Sequence, residues 1–174
     1  IDPIRRRQEI NNNNSWKESN FSWIDNTDLS LEEVTNSTKA TKEELENWKI
    51  RQGIPSFDRE INGETNPYEL GLADTINLDK GCYLGQEAMA RFFRSKSLKC
   101  QLRYWEAYGE SNEFDIGKKF FSTKQDEGLK KNVGVVTSSM RVNNNFFNGL
   151  ALIKKNFLDN ESCFSENGES ITIK

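Results

Sequence analysis

The residues whose types and spacing could do chemistry lie in one run, Lys80–Glu87, which reads Lys-Gly-Cys-Tyr-Leu-Gly-Gln-Glu. Gly81 and Gly85 flank a single cysteine, and glycine adopts backbone conformations that other residues rarely reach. The next segment, Gln86–Phe93, is rich in helix formers, so Cys82 is expected just before the positive end of a helix. That helix end and the ammonium group of Lys80 both favour a thiolate over a thiol. The pattern therefore predicts a nucleophilic thiol on a glycine-shaped loop.

A purely structural interpretation of the same cysteine is equally open at this point. Free cysteine is among the most buried residue types. Cys82 would then be a small apolar side chain that fills a tight turn, and the glycines would serve the turn alone. The local pattern does not separate the two interpretations.

The remaining composition excludes several kinds of site. The chain contains no histidine, so a Ser-His-Asp triad, a Cys-His dyad and a His-ligated metal are excluded. Its three cysteines, Cys82, Cys100 and Cys163, have no C-x-x-C spacing. This odd number argues against a disulfide framework and against a self-contained zinc or iron–sulfur site. We therefore expect no metal site and a reducing, cytoplasmic location.

Length and charge indicate a globular protein with a polar surface. The 174 residues are enough for one ordinary domain or two small ones. Leu, Ile, Val and Phe make up about 24 % of the chain and the net charge is −3, so the composition is not that of a disordered protein. No apolar run is long enough for a membrane helix, and we expect no membrane partner. The slightly acidic balance gives no general attraction to nucleic acid.

The first part of the chain contains the elements that must position the cysteine loop. Thr41 and Glu44 form a capping-box pattern, and Gly53 with Pro55 two residues later provides a stop signal, which predicts a helix over about 42–52. A short strand is expected over 73–78, and Phe21 and Trp23 at strand spacing indicate another. The region 1–95 is therefore predicted to be a mixed α/β part that includes the cysteine loop.

Beyond residue 95 the pattern becomes that of a small all-β domain, expected over 96–174. Leu98, Cys100, Leu102 and Tyr104 alternate with polar residues, which predicts a half-buried strand with Lys99, Gln101 and Arg103 on its solvent face. Asn167-Gly168 is a two-residue hairpin signal. Further short strands are predicted over 118–121, 133–137, 150–154 and 171–173. The fold class predicted is α+β, with a small antiparallel β-barrel at the end of the chain.

The run Lys80–Glu87 resembles the K-G-C-Y-x-G-Q-E/D signature of the YgfZ-type folate-binding proteins. These belong to the superfamily of the glycine-cleavage T-protein, an aminomethyltransferase. The flanks agree: residues 50–55 (Ile-Arg-Gln-Gly-Ile-Pro) resemble the family's stretch before the motif, and residues 134–138 and 149–153 resemble its terminal barrel. The resemblance covers about residues 41–160. The family's N-terminal half is not recognisable in this sequence, which we interpret as a fragment of a longer protein.

The resemblance implies a fold, a cofactor and a site. The fold would be the end of an α/β folate-binding region followed by a β-barrel, and the cofactor would be tetrahydrofolate, bound weakly by this chain alone. The implied function is that of an accessory factor in the assembly or repair of iron–sulfur client proteins, which supports tRNA modification indirectly, rather than that of a turnover enzyme. Carried over residue by residue, the functional thiol is Cys82, and its motif neighbours are Lys80, Gly81, Tyr83, Gly85, Gln86 and Glu87.

Two other functions are weighed against this one. A folate-dependent aminomethyltransferase is the alternative, but the run Lys49–Gly53 lacks the acidic residue that T-proteins usually carry there. A nucleic-acid module is the third, because aromatic residues are interleaved with arginines over 91–105. The acidic residues that follow directly, such as Glu106 and Glu110, argue against it. We therefore expect no direct nucleic-acid binding.

Overall fold

The protein is described by a computed structural model. The described residues are 40–95, 98–109, 111–124 and 129–174. The chain divides into two compact units, Ile1–Leu45 and Glu46–Lys174, and only residues 40–45 of the first are described. The strand expected near Phe21 and Trp23 lies outside the described residues. The domain boundary expected near residue 95 stays a prediction.

Helix α1 (Lys42–Arg51) begins and ends as the sequence predicts. The Thr41 amide donates to the Glu44 carboxylate at 2.8 Å, and the Glu44 amide donates to Thr41 Oγ1 at 3.2 Å, which completes the capping box. The hydrogen bond from the Thr41 backbone holds the pKa of Glu44 below its usual value. At the other end Gly53 adopts φ 64°, and the Ile54 amide donates to the Lys49 carbonyl at 2.9 Å. This left-handed glycine ends the helix.

The structure of the segment between the two helices differs from the prediction. Residues Ala73–Thr75 form a single turn of 3₁₀ helix, where a strand was expected over 73–78. The Thr75 amide and hydroxyl both donate to the Leu72 carbonyl, at 3.0 and 2.7 Å. A strand is stable only when it pairs with a neighbour, and no described residue pairs with this segment. Apolar residues in a short run were therefore not enough to make a strand.

Helix α2 (Gln86–Ser95) follows the cysteine loop directly and confirms the helix expected from residue 86. No residue of α2 is buried, although Phe92 and Phe93 lie on it. No helix among the described residues is long and apolar enough to cross a membrane.

From Cys100 onward the described strands form a closed antiparallel β-barrel, which confirms the predicted fold class. Its strand order is β1-β4-β3-β2-β5-β6, and the longest pairings join β1 to β4 and β4 to β3. The strands are β1 (Cys100–Tyr108), β2 (Lys119–Phe121), β3 (Asn132–Arg141), β4 (Phe146–Lys154), β5 (Ser162–Phe164) and β6 (Ser170–Ile173). Closure gives each strand a neighbouring strand on both sides, although the pairings of β2 with β5 and of β1 with β6 are short.

Aromatic side chains fill the barrel. The Trp105 ring is fully buried and lies 5.5 Å, centroid to centroid, from the rings of Phe114 and Phe120. Trp105 faces Gly149 on β4, and a methyl group at residue 149 would collide with the indole ring and with the Ser138 carbonyl oxygen. Glycine is therefore required where the two strands pass closest to the tryptophan.

The side chains of β1 alternate as predicted, but the prediction of which side faces the core was wrong. The side predicted to face solvent, that of Arg103, faces the inside of the barrel. Trp105 and Ala107 are buried in the barrel, and Arg103 shares their side of the strand because side chains two apart point the same way. The segment around Glu69 pairs with the edge of β1 ahead of Trp105–Ala107, the part that pairs with β6. The Leu102 amide donates to the Glu69 carbonyl at 2.7 Å, and the Lys99 amide to the Glu69 carboxylate at 2.9 Å. A period of two shows which residues alternate, not which side faces the core.

The hairpin predicted at Asn167-Gly168 joins β5 to β6, with a loop one residue longer than expected. The Ser165 amide donates to the Glu169 carbonyl at 2.9 Å, which leaves residues 166–168 as a three-residue loop. Gly168 adopts φ 92°, the left-handed position that such loops need. The Glu113 carboxylate, nearly buried, accepts the Asn167 side-chain amide at 2.5 Å and fixes the loop.

Candidate functional site

The cysteine loop is held in place by the side chain of Gln86, the first residue of α2. Its Nε2 donates to the carbonyls of Leu78 at 2.8 Å and Lys80 at 3.3 Å. Its Oε1 accepts the Tyr83 amide at 3.4 Å. One amide side chain thus bonds to the backbone before and after Cys82, and we assign Gln86 the role of positioning the loop.

Two more residues shape the loop, one at each end. Asn77 Oδ1 accepts the amides of Asp79 at 2.8 Å and Lys80 at 3.0 Å, an Asx turn that starts the loop. Gly85 adopts φ 86° directly before the helix, and its carbonyl accepts the Met89 amide at 3.0 Å. Gly81 has no such requirement: its φ is not left-handed, and an added Cβ would meet no atom within 4 Å. The loop geometry thus explains one motif glycine and not the other.

Cys82 is exposed, so it does not fill a buried turn. It lies between the two stretches of backbone that Gln86 holds, four residues before α2 begins. Lys80 extends over the ring of Tyr83, with Nζ 5.0 Å from the ring centroid. Glu87 is exposed in the first turn of α2, where a negative charge interacts favourably with the helix end. The thiol is therefore accessible on a loop of fixed shape.

Two tyrosines beside the loop have buried hydroxyl groups that lack a hydrogen-bond partner among the described residues: Tyr68 and Tyr83. Tyr68 is 8 % exposed, and its ring lies 6.2 Å from that of Phe93 on α2. Burial, and secondly the nearby Tyr83, raise the pKa of Tyr68. The two phenols are therefore close enough to influence each other. A buried donor without a partner is unfavourable, so each hydroxyl would gain from a hydrogen bond to a polar group that reaches it.

The other two cysteines lie in different surroundings. Burial, and then the Glu69 carboxylate, raise the pKa of Cys100 to about 11. Cys163 lies in the barrel core, where burial raises its pKa to about 12. Neither thiol is suited to act as a nucleophile near neutral pH, because the thiolate is the reactive form.

The described residues contain no group of three or more His, Cys, Asp or Glu side chains that could hold a metal ion. A cluster such as [4Fe–4S] takes four cysteine ligands. Cys82 can therefore supply at most one thiolate to a metal centre that another protein holds. Chemically, the loop can present one accessible sulfur atom as a nucleophile or as a single ligand.

Sequence reasoning found the loop itself but missed residues outside the motif that complete its surroundings. Asn77 is readable as a turn residue because its side chain can bond to the backbone two residues on. Tyr68 and Glu69 gave no such signal, since they follow an Asn66-Pro67 turn in a segment without periodicity. Their contacts with α2 and β1 exist only in the folded chain.

Comparison with known proteins gives two relatives and no family model that matches the chain. Over 95 residues, 53 % of this chain, it is 34 % identical to the tRNA-modifying protein YgfZ of Buchnera aphidicola, and this segment covers 29 % of that protein. The chain is thus similar to this protein over about half of its own length. Over 57 residues, 33 % of the chain, it is 44 % identical to a chloroplastic protein of Arabidopsis thaliana named as a transferase, and this covers 13 % of that protein. The matches thus span less than a third of either relative.

Proposed function

We propose that this chain is a folate-binding accessory factor for the assembly or repair of iron–sulfur proteins, and that through such a client it supports tRNA modification. The observation that carries the proposal is the exposed Cys82 on a loop held by Gln86, in a chain similar to a protein named for tRNA modification. The client would be an enzyme that uses an iron–sulfur cluster to modify tRNA.

Cys82 acts in this proposal as a transient group. Its sulfur is accessible, and it has no second cysteine beside it in the sequence with which to form a C-x-x-C pair. A lone thiolate cannot hold a cluster, so it acts either as a redox thiol or as one ligand shared with the client. Gln86 positions the loop and does not itself meet the client's metal.

Tetrahydrofolate is the cofactor of this proposal, and the tyrosine pair fits its chemistry. The hydroxyls of Tyr68 and Tyr83 have no partner among the described residues and can donate to the nitrogen and oxygen atoms of a pterin. The exposed ring of Phe93 offers an aromatic surface, and the ammonium of Lys80 can pair with a carboxylate of the cofactor. When bound, the folate would supply one-carbon or redox chemistry beside the loop.

The proposal is tested in a bacterial strain that lacks its own YgfZ. The chain, its Cys82→Ser variant and its Cys100→Ser variant are expressed at equal levels, and thiomethylated tRNA nucleosides are quantified by mass spectrometry. We expect the unmodified chain and Cys100→Ser to raise the modified fraction, and Cys82→Ser to fail. Cys100 is the matched control because its thiol is partly buried against Glu69.

Two results would count against the proposal. If the chain without substitutions folds but leaves the fraction of thiomethylated tRNA at the background level, the accessory function is ruled out. Full activity of Cys82→Ser would keep the accessory function but remove the thiol from it. Circular dichroism of each purified variant shows whether the fold is retained.

The folate part is tested separately by calorimetry with tetrahydrofolate under anaerobic conditions. We expect weak, saturable binding that Tyr68→Phe lowers by about twofold to tenfold, since one hydrogen bond contributes roughly 0.5–1.5 kcal/mol. Tyr108→Phe is the control, because Tyr108 is 72 % exposed on β1 and its ring packs on Phe146. Equal loss in both variants, or no saturable binding to the unmodified chain, would remove folate from the proposal.

A folate-dependent group transfer is the second candidate, and the Arabidopsis relative named as a transferase is the observation that favours it. Such a reaction needs an acid or base near the transferred carbon. The run Lys49–Gly53, at the C-terminal end of α1, contains no acidic residue that could fill this role. Turnover of an aminomethylated carrier protein with tetrahydrofolate would reverse the order of the two candidates.

A further inference from the structure

A group of lysines around β2 forms a basic surface on the outside of the barrel. We call it the β2 basic face, and it consists of Lys119, Lys124 and Lys130, with Lys118 and Lys131 directly beside them in the sequence. Lys119 shares the side of Phe121 on β2, and Lys124 and Lys130 lie over aromatic rings of the same surface. Lys119, Lys124 and Lys131 are exposed, and the other two lysines are partly exposed. Among the described residues, no ion pair joins any of the five to a carboxylate.

Two aromatic rings lie within this surface. Phe121 on β2 pairs directly with Phe164 on β5, and both are partly exposed. Their neighbours in sequence, Phe120 and Cys163, are buried, so the two phenylalanines point to the outside of the barrel. Directly paired residues bring their side chains close together. The outer surface thus presents two adjacent rings on neighbouring strands.

The lysines already lie over these rings. Lys130 Nζ is 4.2 Å from the centroid of Phe121, and Lys124 Nζ is 5.7 Å from the centroid of Phe164. Lys130 Nζ also donates to the Glu166 carbonyl at 2.8 Å. An ammonium group that covers an aromatic face can move aside on its flexible stem when another partner takes the face. The rings and the ammonium groups of Lys124 and Lys130 therefore lie at the same place.

The local charge differs in sign from that of the chain. Residues 118–131 contain five lysines and two carboxylates, a net charge of +3, whereas the whole chain carries −3. Asp115, Glu161 and Glu166 lie in neighbouring segments and limit the positive surface to the β2 region. An anionic partner would thus be attracted to this face and repelled by much of the remaining surface.

We propose that the β2 basic face binds single-stranded nucleic acid, with phosphates at the lysines and bases stacked on Phe121 and Phe164. Stacking on aromatic residues of adjacent strands, beside basic residues that hold the backbone, is a common way in which β-sheets bind single strands. An acidic peptide would use the charges but not the paired rings, which is why we favour nucleic acid. This revises, for the barrel, the expectation of no direct nucleic-acid contact.

The test measures fluorescence anisotropy of labelled 12-nucleotide oligouridine and oligothymidine with the full chain, over a range of salt concentrations. We expect affinity for both probes, with a logarithmic salt slope of about −0.7 for each phosphate neutralised. The double variant Lys124→Glu/Lys130→Glu should lose at least about tenfold in affinity and show a shallower salt slope. A preference for one probe shows whether RNA or DNA is the natural ligand class.

Two further variants test whether binding depends on stacking and on where the lysines lie, and not on net charge alone. Phe164→Leu keeps apolar bulk but removes the ring, and we expect about fivefold weaker binding with an unchanged salt slope. Lys42→Glu/Lys99→Glu is the control, because it makes the same charge change at exposed lysines outside the β2 basic face. We expect this control to lose less than about threefold, the effect of net charge alone.

Three results would overturn the proposal. One is equal loss of affinity in the two double variants, which would indicate attraction by net charge alone. Another is full affinity of Phe164→Leu, which would exclude stacking. The last is tighter binding of polyglutamate, or of vesicles that contain phosphatidylserine, than of either oligonucleotide. None of these results depends on Cys82 or on folate, so the test is independent of the proposed function.

Discussion

The three cysteine residues show how far the surroundings of one side-chain type differ within this chain. Cys82 is exposed on the loop before α2, Cys100 is partly buried beside Glu69 at the start of β1, and Cys163 is enclosed by the barrel. Burial raises the pKa of Cys100 to about 11 and that of Cys163 to about 12. At pH 8, thiolates would then make up about one part in a thousand of Cys100 and one in ten thousand of Cys163.

We predict that Cys82 reacts fastest with iodoacetamide between pH 6 and 9. Its sulfur is exposed, whereas the other two thiols remain protonated and are shielded from the reagent. The labelling of Cys100 and Cys163 should rise only above about pH 10, because their raised pKa values delay thiolate formation. Peptide mass spectrometry after timed quenching gives the three rates.

Labelling in 8 M urea is the control for this prediction, since unfolding removes the differences in burial and should bring the three rates together. If Cys82 is the slowest of the three in the folded chain, it is not an accessible thiol. The motif would then have a structural role only.

At the scale of elements, the loop before α2 depends on a few backbone conformations rather than on every motif residue. Gly85 adopts φ 86°, while Gly81 takes no left-handed conformation and has open space around it. Gln86 links the loop to the first turn of α2 through Leu78, Lys80 and Tyr83. The helix and the loop therefore form one local unit.

We predict that Gly85→Ala lowers the free energy of unfolding by about 1–2 kcal/mol, because alanine is strained in a left-handed conformation. Gly81→Ala is the matched control, in the same loop and with the same added methyl group, and should change stability by less than about 0.5 kcal/mol. Urea denaturation followed by tryptophan fluorescence measures both. Equal effects would show that the loop glycines are not distinguished by backbone conformation.

At the scale of the whole second unit, a buried polar cluster joins the segment after α1 to the barrel. Glu60 is fully buried, and its carboxylate accepts the Ser138 hydroxyl on β3 at 2.5 Å and the Ser56 amide at 2.8 Å. Arg59 extends this cluster to α1 through an ion pair with Glu46 at 3.1 Å. Beside it, Lys49 and secondly Arg59 hold the pKa of Glu46 below its usual range.

We predict that Ser138→Ala destabilises the fold by about 1–3 kcal/mol, because it leaves the buried Glu60 carboxylate without one of its donors. Ser139→Ala on the same strand is the control, since Ser139 is only partly buried, and we expect a change within about 0.5 kcal/mol. Thermal and urea unfolding of both variants give the comparison. A Ser138→Ala variant as stable as the control would mean that Glu60 is held by its other contacts alone.

The sequence by itself determined the local features of this protein. The Thr41–Glu44 capping box, the left-handed Gly53 and the helix from Gln86 are all set by residues within one or two turns of each other. Alternation identified β1, short runs between turn signals identified four of the other barrel strands but not β5, and the motif identified the loop of Cys82. These features were predictable because their hydrogen bonds and backbone conformations involve near neighbours in the chain.

Only the tertiary structure decided which side of β1 faces the core, that residues 73–75 form a turn, and that Tyr68 lies beside the motif. Each depends on which distant segment lies against an element: the segment around Glu69 bonds to the edge of β1, and no described strand pairs with 73–75. The same holds for Phe121 and Phe164, which are 43 positions apart and meet only because β2 pairs with β5. A sequence pattern shows the side chains that could be buried or bound, but closure of the barrel decides which of them come together.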